Sequence, residues 1–142
     1  MRVQQFRRAT AALVCALSLS VAACGNDDLP VSPLTLAGTY TATQLTTTTG
    51  GVTTNQLAAG ASVTLVLSLD GTSVGRLRVP ASTLPAADVS LNGTWEYSNG
   101  DVDLTSSADT FLRDMLLRVE GNTLVGDQTF GATRIQIVLT KL

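Results

Sequence analysis

From Leu36 to Leu142 the chain repeats one pattern: short runs in which apolar and polar residues alternate, separated by Gly, Asn and Asp. Val63, Leu65, Leu67 and Leu69 alternate with Thr64, Val66 and Ser68, and Asp70-Gly71 follows as a hairpin signal. Leu77 and Val79 alternate with Arg76 and Arg78. Val89, Leu91, Trp95 and Tyr97 share one parity, and Asn99-Gly100 marks the next tight turn. Val102 and Leu104 alternate with Asp101 and Asp103. Leu124 to Gln128 is a short strand closed by Gly131, and Ile135, Ile137 and Leu139 alternate with Arg134, Gln136 and Val138. The first strand is expected over Leu36 to Thr46, where threonine favours strand over helix.

One run admits two periods. Phe111, Met115, Leu117 and Val119 lie on one face of a strand that leads into Gly121-Asn122. Leu112, Met115, Leu116 and Val119 also fit the three-and-four spacing of a helix over Ala108 to Arg118. Strand is the preferred reading, with a short helical turn allowed at Ser106 to Asp109. The pattern therefore predicts an all-β domain of about eight antiparallel strands, a small up-and-down barrel, with an open β-sandwich as the alternative. The connections are uneven. Thr46 to Ala61, rich in Thr, Gly, Asn and Ala, and Pro80 to Ala87 are expected as long loops; the other turns are tight. Such asymmetry predicts a mouth at one end and a closed end at the other.

The first residues follow a different rule. Arg2, Arg7 and Arg8 precede an uncharged run from Ala9 to Ala23, which ends in Val21-Ala22-Ala23-Cys24-Gly25. The run is shorter than the ~20 residues a helix needs to cross a bilayer. A basic start, a short apolar core and small residues before a break mark a secretory signal. These residues resemble a bacterial lipoprotein signal peptide with its lipobox. The resemblance implies cleavage before Cys24, lipidation of Cys24 and anchoring in a membrane through that lipid. Gly25, where an inner-membrane protein of enteric bacteria carries Asp, favours the outer membrane, so the expected location is the cell envelope. The expected organisation is a signal peptide over 1–23, a lipidated tether over 24–34 stiffened by Pro30 and Pro33, and one domain over 35–142.

Processing changes the charge and the thiols. Residues 24–142 carry six basic and eleven acidic side chains, a net charge of −5 against −2 for the whole chain. No basic stripe suits a phosphate backbone, so nucleic acid is not an expected partner. Cys15 falls in the removed segment and Cys24 is taken by lipid, leaving no thiol for a disulfide, a metal or catalysis.

The chain holds no histidine. That removes the commonest general base and metal ligand and every Ser-His or Cys-His arrangement. Asp101 and Asp103 alternate as a carboxylate pair would, but they flank Val102 after a turn and read as a solvated strand. No Gly-rich phosphate loop or calcium loop occurs. No catalytic residue, metal site or cofactor is expected, and the protein is read as a non-enzyme.

Leu36-Ala37-Gly38-Thr39-Tyr40, Gly93-Thr94-Trp95-Glu96-Tyr97 and Gly121-Asn122-Thr123-Leu124 resemble the small bacterial lipocalin-like lipoproteins. Lipocalins open on a Gly-x-Trp signature whose aromatic plugs the closed end of an eight-stranded barrel. Here Gly38 and Tyr40 stand at those positions, with Tyr in place of Trp. The resemblance implies an arginine near the last strand that stacks on the aromatic, and Arg134 is the only candidate by order.

Two functional readings follow. In the first, the barrel binds a small apolar or amphipathic ligand. Trp95 and Tyr97 would line its cavity, and Arg113, inward by the strand parity of its run, would hold an anionic head. The other readings of Arg113 are an internal ion pair, a bulge that turns it outward, or a wet rim. In the second, large inward leucines fill the barrel, and a surface engages an envelope protein partner.

Overall fold

The computed structural model describes residues 31–81 and 86–142. Ten strands form one antiparallel sheet: β1 (Gly38–Thr49), β2 (Val52–Asn55), β3 (Ser62–Leu67), β4 (Thr72–Val79), β5 (Ala87–Ser90), β6 (Gly93–Ser98), β7 (Asp101–Ser106), β8 (Leu117–Glu120), β9 (Thr123–Phe130) and β10 (Thr133–Lys141). One helical turn, α1 (Pro33–Leu36), precedes them. Eight strands follow one another around a wall in the order β10-β9-β8-β7-β6-β4-β3-β1, and β1 pairs with β10 from Tyr40↔Lys141 to Thr49↔Thr133. That last pairing closes the barrel and rules out the open sandwich. Closure leaves no free edge along β1 or β10 to template another chain.

Inward and outward positions follow the alternation closely. Val63, Leu65 and Leu67 of β3, Leu77 and Val79 of β4, Val102 and Leu104 of β7, and Ile135, Ile137 and Leu139 of β10 are all buried. Arg76, Arg78, Asp103 and Arg134 stand on the outer wall. The interior is filled: these side chains, with Leu45, Leu117 and Leu124, form one apolar cluster, each contributing about 1.5–3 kcal/mol by leaving water.

β1 departs from strict alternation. Tyr40 and Leu45 are both buried although their parities differ, because the pairing with β10 slips between Ala42 and Gln44. The extra residue is a β-bulge, which re-aims every side chain beyond it. β1 also runs on to Thr49 and turns through Gly50-Gly51 into β2. The Thr-rich segment expected as a loop is thus strand over 46–49 and 52–55. Its hydroxyls bond across the ladder, Thr48 to Thr53 at 2.8 Å and Thr49 to Thr133 at 2.8 Å, which half-exposed cross-strand threonines do well. Gln56, after β2, is fully buried and donates from Nε2 to the Thr47 hydroxyl at 2.7 Å.

β5 and β6 are one wall strand with an interruption. β4 pairs Arg76↔Ser90 with β5 and Ser73↔Gly93 with β6 in the same register, and the Leu91 amide donates to the Gly75 carbonyl between them at 2.9 Å. This is why Val89, Leu91, Trp95 and Tyr97 keep one parity across the break.

The strand expected over Phe111–Val119 forms only at Leu117–Glu120, and no helix replaces the rest. Residues 107–116 form an irregular connection that carries Leu112 and Met115 into the interior. β8 is short and pairs with β7 only at Asp101↔Arg118 and Val102↔Leu117. Leu112 and Met115 fill the space that a longer β8 would have walled off. Gly126 on β9 makes room, since a Cβ there would overlap Met115 Sδ and come within 3.0 Å of Ile137 Cγ2.

The two ends differ as the loop lengths suggest. The β3–β4, β6–β7 and β8–β9 hairpins all turn at the end where β1 begins. Asn99 and Gly100, with φ of +54° and +94°, make the left-handed pair that a two-residue hairpin demands. The β1–β2 turn at Gly50-Gly51, the residues 56–61 that follow β2, and the 107–116 connection lie toward the other end. α1 caps the tight end. Ser32 is its N-cap, Pro33 stands in the first turn where no amide partner is needed, and Leu36 is buried. Among the described residues, regular structure thus starts at the Ser32 cap, within the span 24–34 expected as tether.

Candidate functional site

The tight end is sealed. The Tyr40 hydroxyl donates to the Leu36 carbonyl at 2.7 Å, and burial pushes its pKa up. Lys141, directly across from Tyr40 on β10, donates from Nζ to the Thr35 carbonyl at 2.7 Å. Its stem passes over Gly38, whose φ of +150° and lack of Cβ admit that close approach. Gly38 and Tyr40 thus lie at the closed end. Arg134 does not reach Tyr40, and the β10 residue across from Tyr40 is Lys141. Arg134 pairs across from Thr48 near the other end and is bound on the outer wall to Asp127. Chain order pointed to Arg134; the signal it missed is parity, since Lys141 and not Arg134 continues the series Ile135, Ile137, Leu139.

Trp95 is buried at the same tight end, and its indole Nε1 donates to the Ser68 carbonyl at 2.8 Å. Tyr97 is half-buried one pleat further down β6. Arg113 lies near the opposite end, on a turn closed by its own amide donating to the Thr110 carbonyl at 3.1 Å. Strand parity does not apply there. Its guanidinium donates to Asp114 at 2.8 and 3.0 Å and to Asp109 at 2.7 Å, and these hydrogen bonds hold the Asp114 carboxyl below its usual range. The structure therefore does not bring Trp95, Tyr97 and Arg113 together.

What the wide end offers is a pocket of about 320 Å³ between β4–β5 and β9–β10. Its floor is Leu77, Val79 and Ile135, all buried inward positions, and its walls include Ala87, Phe111 and Phe130. Thr110, Asp109 and Asp114 complete the lining from the 107–116 connection. Thr110 is 9% exposed, and its Oγ1 is buried without a hydrogen-bond partner, an uncommon and costly state for a hydroxyl. Pockets of this size and apolar character suit small ligands. With two carboxylates against one guanidinium, the rim carries a charge of −1, which suits a neutral or donor-bearing head better than an anion.

Phe130 was legible in principle, since it continues the inward series Leu124, Gly126, Gln128. Nothing local marks Thr110. Asp101 and Asp103 belong to the outer side of β7, Asp101 across from Arg118 and Asp103 across from Glu96. Among the described residues no cluster of three His, Cys, Asp or Glu could hold a metal ion, and no helix is long and apolar enough to cross a membrane. Cys24, the expected signal peptide and the expected tether up to Pro30 lie outside the described residues. Compared with known proteins, the chain matches no family model, no curated protein and no solved structure; its closed eight-strand barrel is consistent with a lipocalin-like fold.

Proposed function

We propose that this protein is a non-catalytic lipoprotein of the cell envelope, anchored through Cys24, whose barrel takes a small apolar or amphipathic ligand at its wide end. The supporting observation is the apolar pocket over Leu77, Val79 and Ile135, with the unpaired Thr110 hydroxyl in its lining. Because the interior below is filled, the ligand enters only as far as those three side chains. An acyl tip or a small ring fits this depth; a lipid enclosed along the barrel axis does not.

The test uses a Cys24→Ser chain, which cannot take the lipid, and an environment-sensitive apolar dye. Binding by the parent and its loss in Ala87→Phe, with the melting temperature held within a few degrees, is the expected result. Equal dye binding by both chains rejects the pocket. Mass spectrometry of small molecules extracted from the parent chain would then identify the natural occupant.

A second reading has its own support. Leu45, Leu65, Leu117, Leu124, Ile137 and Leu139 are fully buried, as expected for a filled barrel that works through its surface with an envelope protein. Absence of any dye or extracted ligand, together with one protein cross-linked reproducibly in envelope membranes, would favour it.

A further inference from the structure

We infer that the tight end of the barrel is the face that rests on the membrane, so that the wide pocket opens away from the bilayer. The inference rests on the reading that Cys24 carries the lipid, and adds to it an apolar contact surface and an orientation.

Seven large apolar side chains are exposed among the described residues, and four of them surround the tight end: Val31 (43%), Leu34 (72%), Leu69 (63%) and Leu142 (82%). They come from three separate stretches of chain. Val31 and Leu34 belong to the cap, Leu69 to the β3–β4 hairpin, and Leu142 follows β10. The fold gathers them. Pro33 and Leu69 line one shallow depression with Trp95 and Tyr97. Lys141 is bonded to Thr35, and the Leu142 amide donates to the Thr39 carbonyl at 2.9 Å, which holds that residue beside the start of β1.

The cap does not need this exposure for its own stability. Leu36 already buries its apolar side, and Leu34 points away from the core. Exposed apolar residues converging from separate segments mark a contact surface. The chain itself points to the occupant. Six residues lie between Cys24 and Val31, and the seven steps from one to the other reach about 25 Å at full extension. A lipid on Cys24 therefore holds this end within about that distance of the bilayer, where apolar side chains seat at the headgroup boundary. Asp70 and Glu96 border the depression, so a zwitterionic surface suits it better than an anionic one. The pocket walled by Phe111 and Phe130 lies at the opposite end, and its ligand arrives from the aqueous side.

The experiment uses the mature lipidated protein reconstituted in phosphatidylcholine vesicles. Leu34→Cys and Ala132→Cys each supply one free thiol for a polarity-sensitive dye, at the tight end and at the β9–β10 hairpin of the wide end. The expected result is a blue-shifted emission at position 34, aqueous emission at position 132, and return of the first to aqueous emission in a Leu69→Asp/Leu142→Asp background that still floats with vesicles. Aqueous emission at position 34 in protein that floats overturns the inference while leaving the anchor in place. An N-terminal peptide lacking the mass of a lipid on Cys24 removes the anchor itself, a failure read separately. Shielding of position 34 that vanishes as protein is diluted among vesicles would assign the surface to a second copy of the chain, and equally overturns it.

Discussion

Tyr40 and Lys141 face each other across the seam where the barrel closes, and each reaches back to α1, the hydroxyl to Leu36 and the ammonium to Thr35. The seam joins the first and last strands, so these two bonds tie the cap and both ends of the domain together. Tyr40→Phe keeps the buried ring and removes one bond. The expected cost is about 1 kcal/mol, a fall in melting temperature of about 5 °C. A calorimetric scan with no shift would show that the Tyr40 hydroxyl contributes nothing to holding the cap.

Gly38 supplies a second test of the same end. A Cβ there would overlap the Lys141 stem, and the φ of +150° is unfavourable for any other residue. Gly38→Ala should destabilise by about 1–3 kcal/mol. Lys141→Ala should recover only part of that loss, because it relieves the contact and not the backbone. Full recovery in the double variant would mean that the strain is steric only.

Gly126 and Gly93 separate two kinds of close approach. At Gly126 the obstacle is the end of a flexible side chain, Met115; at Gly93 it is the Thr105 carbonyl oxygen of the neighbouring strand. Both alanine variants should lower the denaturant midpoint. Met115→Ala should rescue Gly126→Ala in part, whereas no single side-chain deletion should rescue Gly93→Ala. Equal behaviour of the two would contradict the packing described for the 107–116 connection.

Stability should be flat from pH 5 to 8 and fall on both sides. The chain has no histidine to titrate in that interval. Asp70, Asp88, Asp114 and Asp127 are held below the usual carboxylate range, chiefly by hydrogen bonds from Thr72, Arg76, Arg113 and Arg134 respectively. A depressed folded pKa contributes stability above the unfolded value of about 3.9, and that contribution disappears as pH falls through the folded value. These pairs are solvent-exposed, so the acid limb should be shallow and weaker still in salt. Tyr40 shifts the other way, by burial. Its contribution is whole below about pH 10 and is lost as pH rises through its raised value. Thermal melts at half-unit steps check this profile, and a transition centred between pH 5 and 8 would refute it.

Thr110→Val tests the unpaired hydroxyl. In the free protein the buried oxygen is a liability, so replacing it with a methyl should leave the melting temperature unchanged or raise it by a few degrees. If the pocket binds a polar-headed ligand through that hydroxyl, the same variant should bind more weakly while an all-apolar dye binds as before. A clear loss of stability would show that the hydroxyl has a structural role.

The alternation of residues, a local property with period two, was enough to predict an all-β domain, the inward set of β3, β4, β7 and β10, and the hairpins at Asp70-Gly71, Asn99-Gly100 and Gly121-Asn122. Uneven connection lengths were enough to predict two unlike ends. The lipobox resemblance is a matter of sequence alone, since Cys24 lies outside the described residues. Other features needed the tertiary structure because their causes are far apart in the chain. The bulge after Ala42 is a mismatch between β1 and β10, and only the pairing shows that Tyr40 and Leu45 share a face. The pairing of β4 with both β5 and β6 makes one wall strand of two. The run from Phe111 to Leu116 has strand and helix periods at once and adopts neither, because β8 pairs with β7 over two residues and Leu112 and Met115 must fill the gap above it. Arg113 follows that turn to the rim, where Asp109 and Asp114 hold it. Closure decided the rest: by setting Lys141 against Tyr40 at one end and leaving a pocket over Val79 and Ile135 at the other, it assigned positions that no short stretch of sequence specifies.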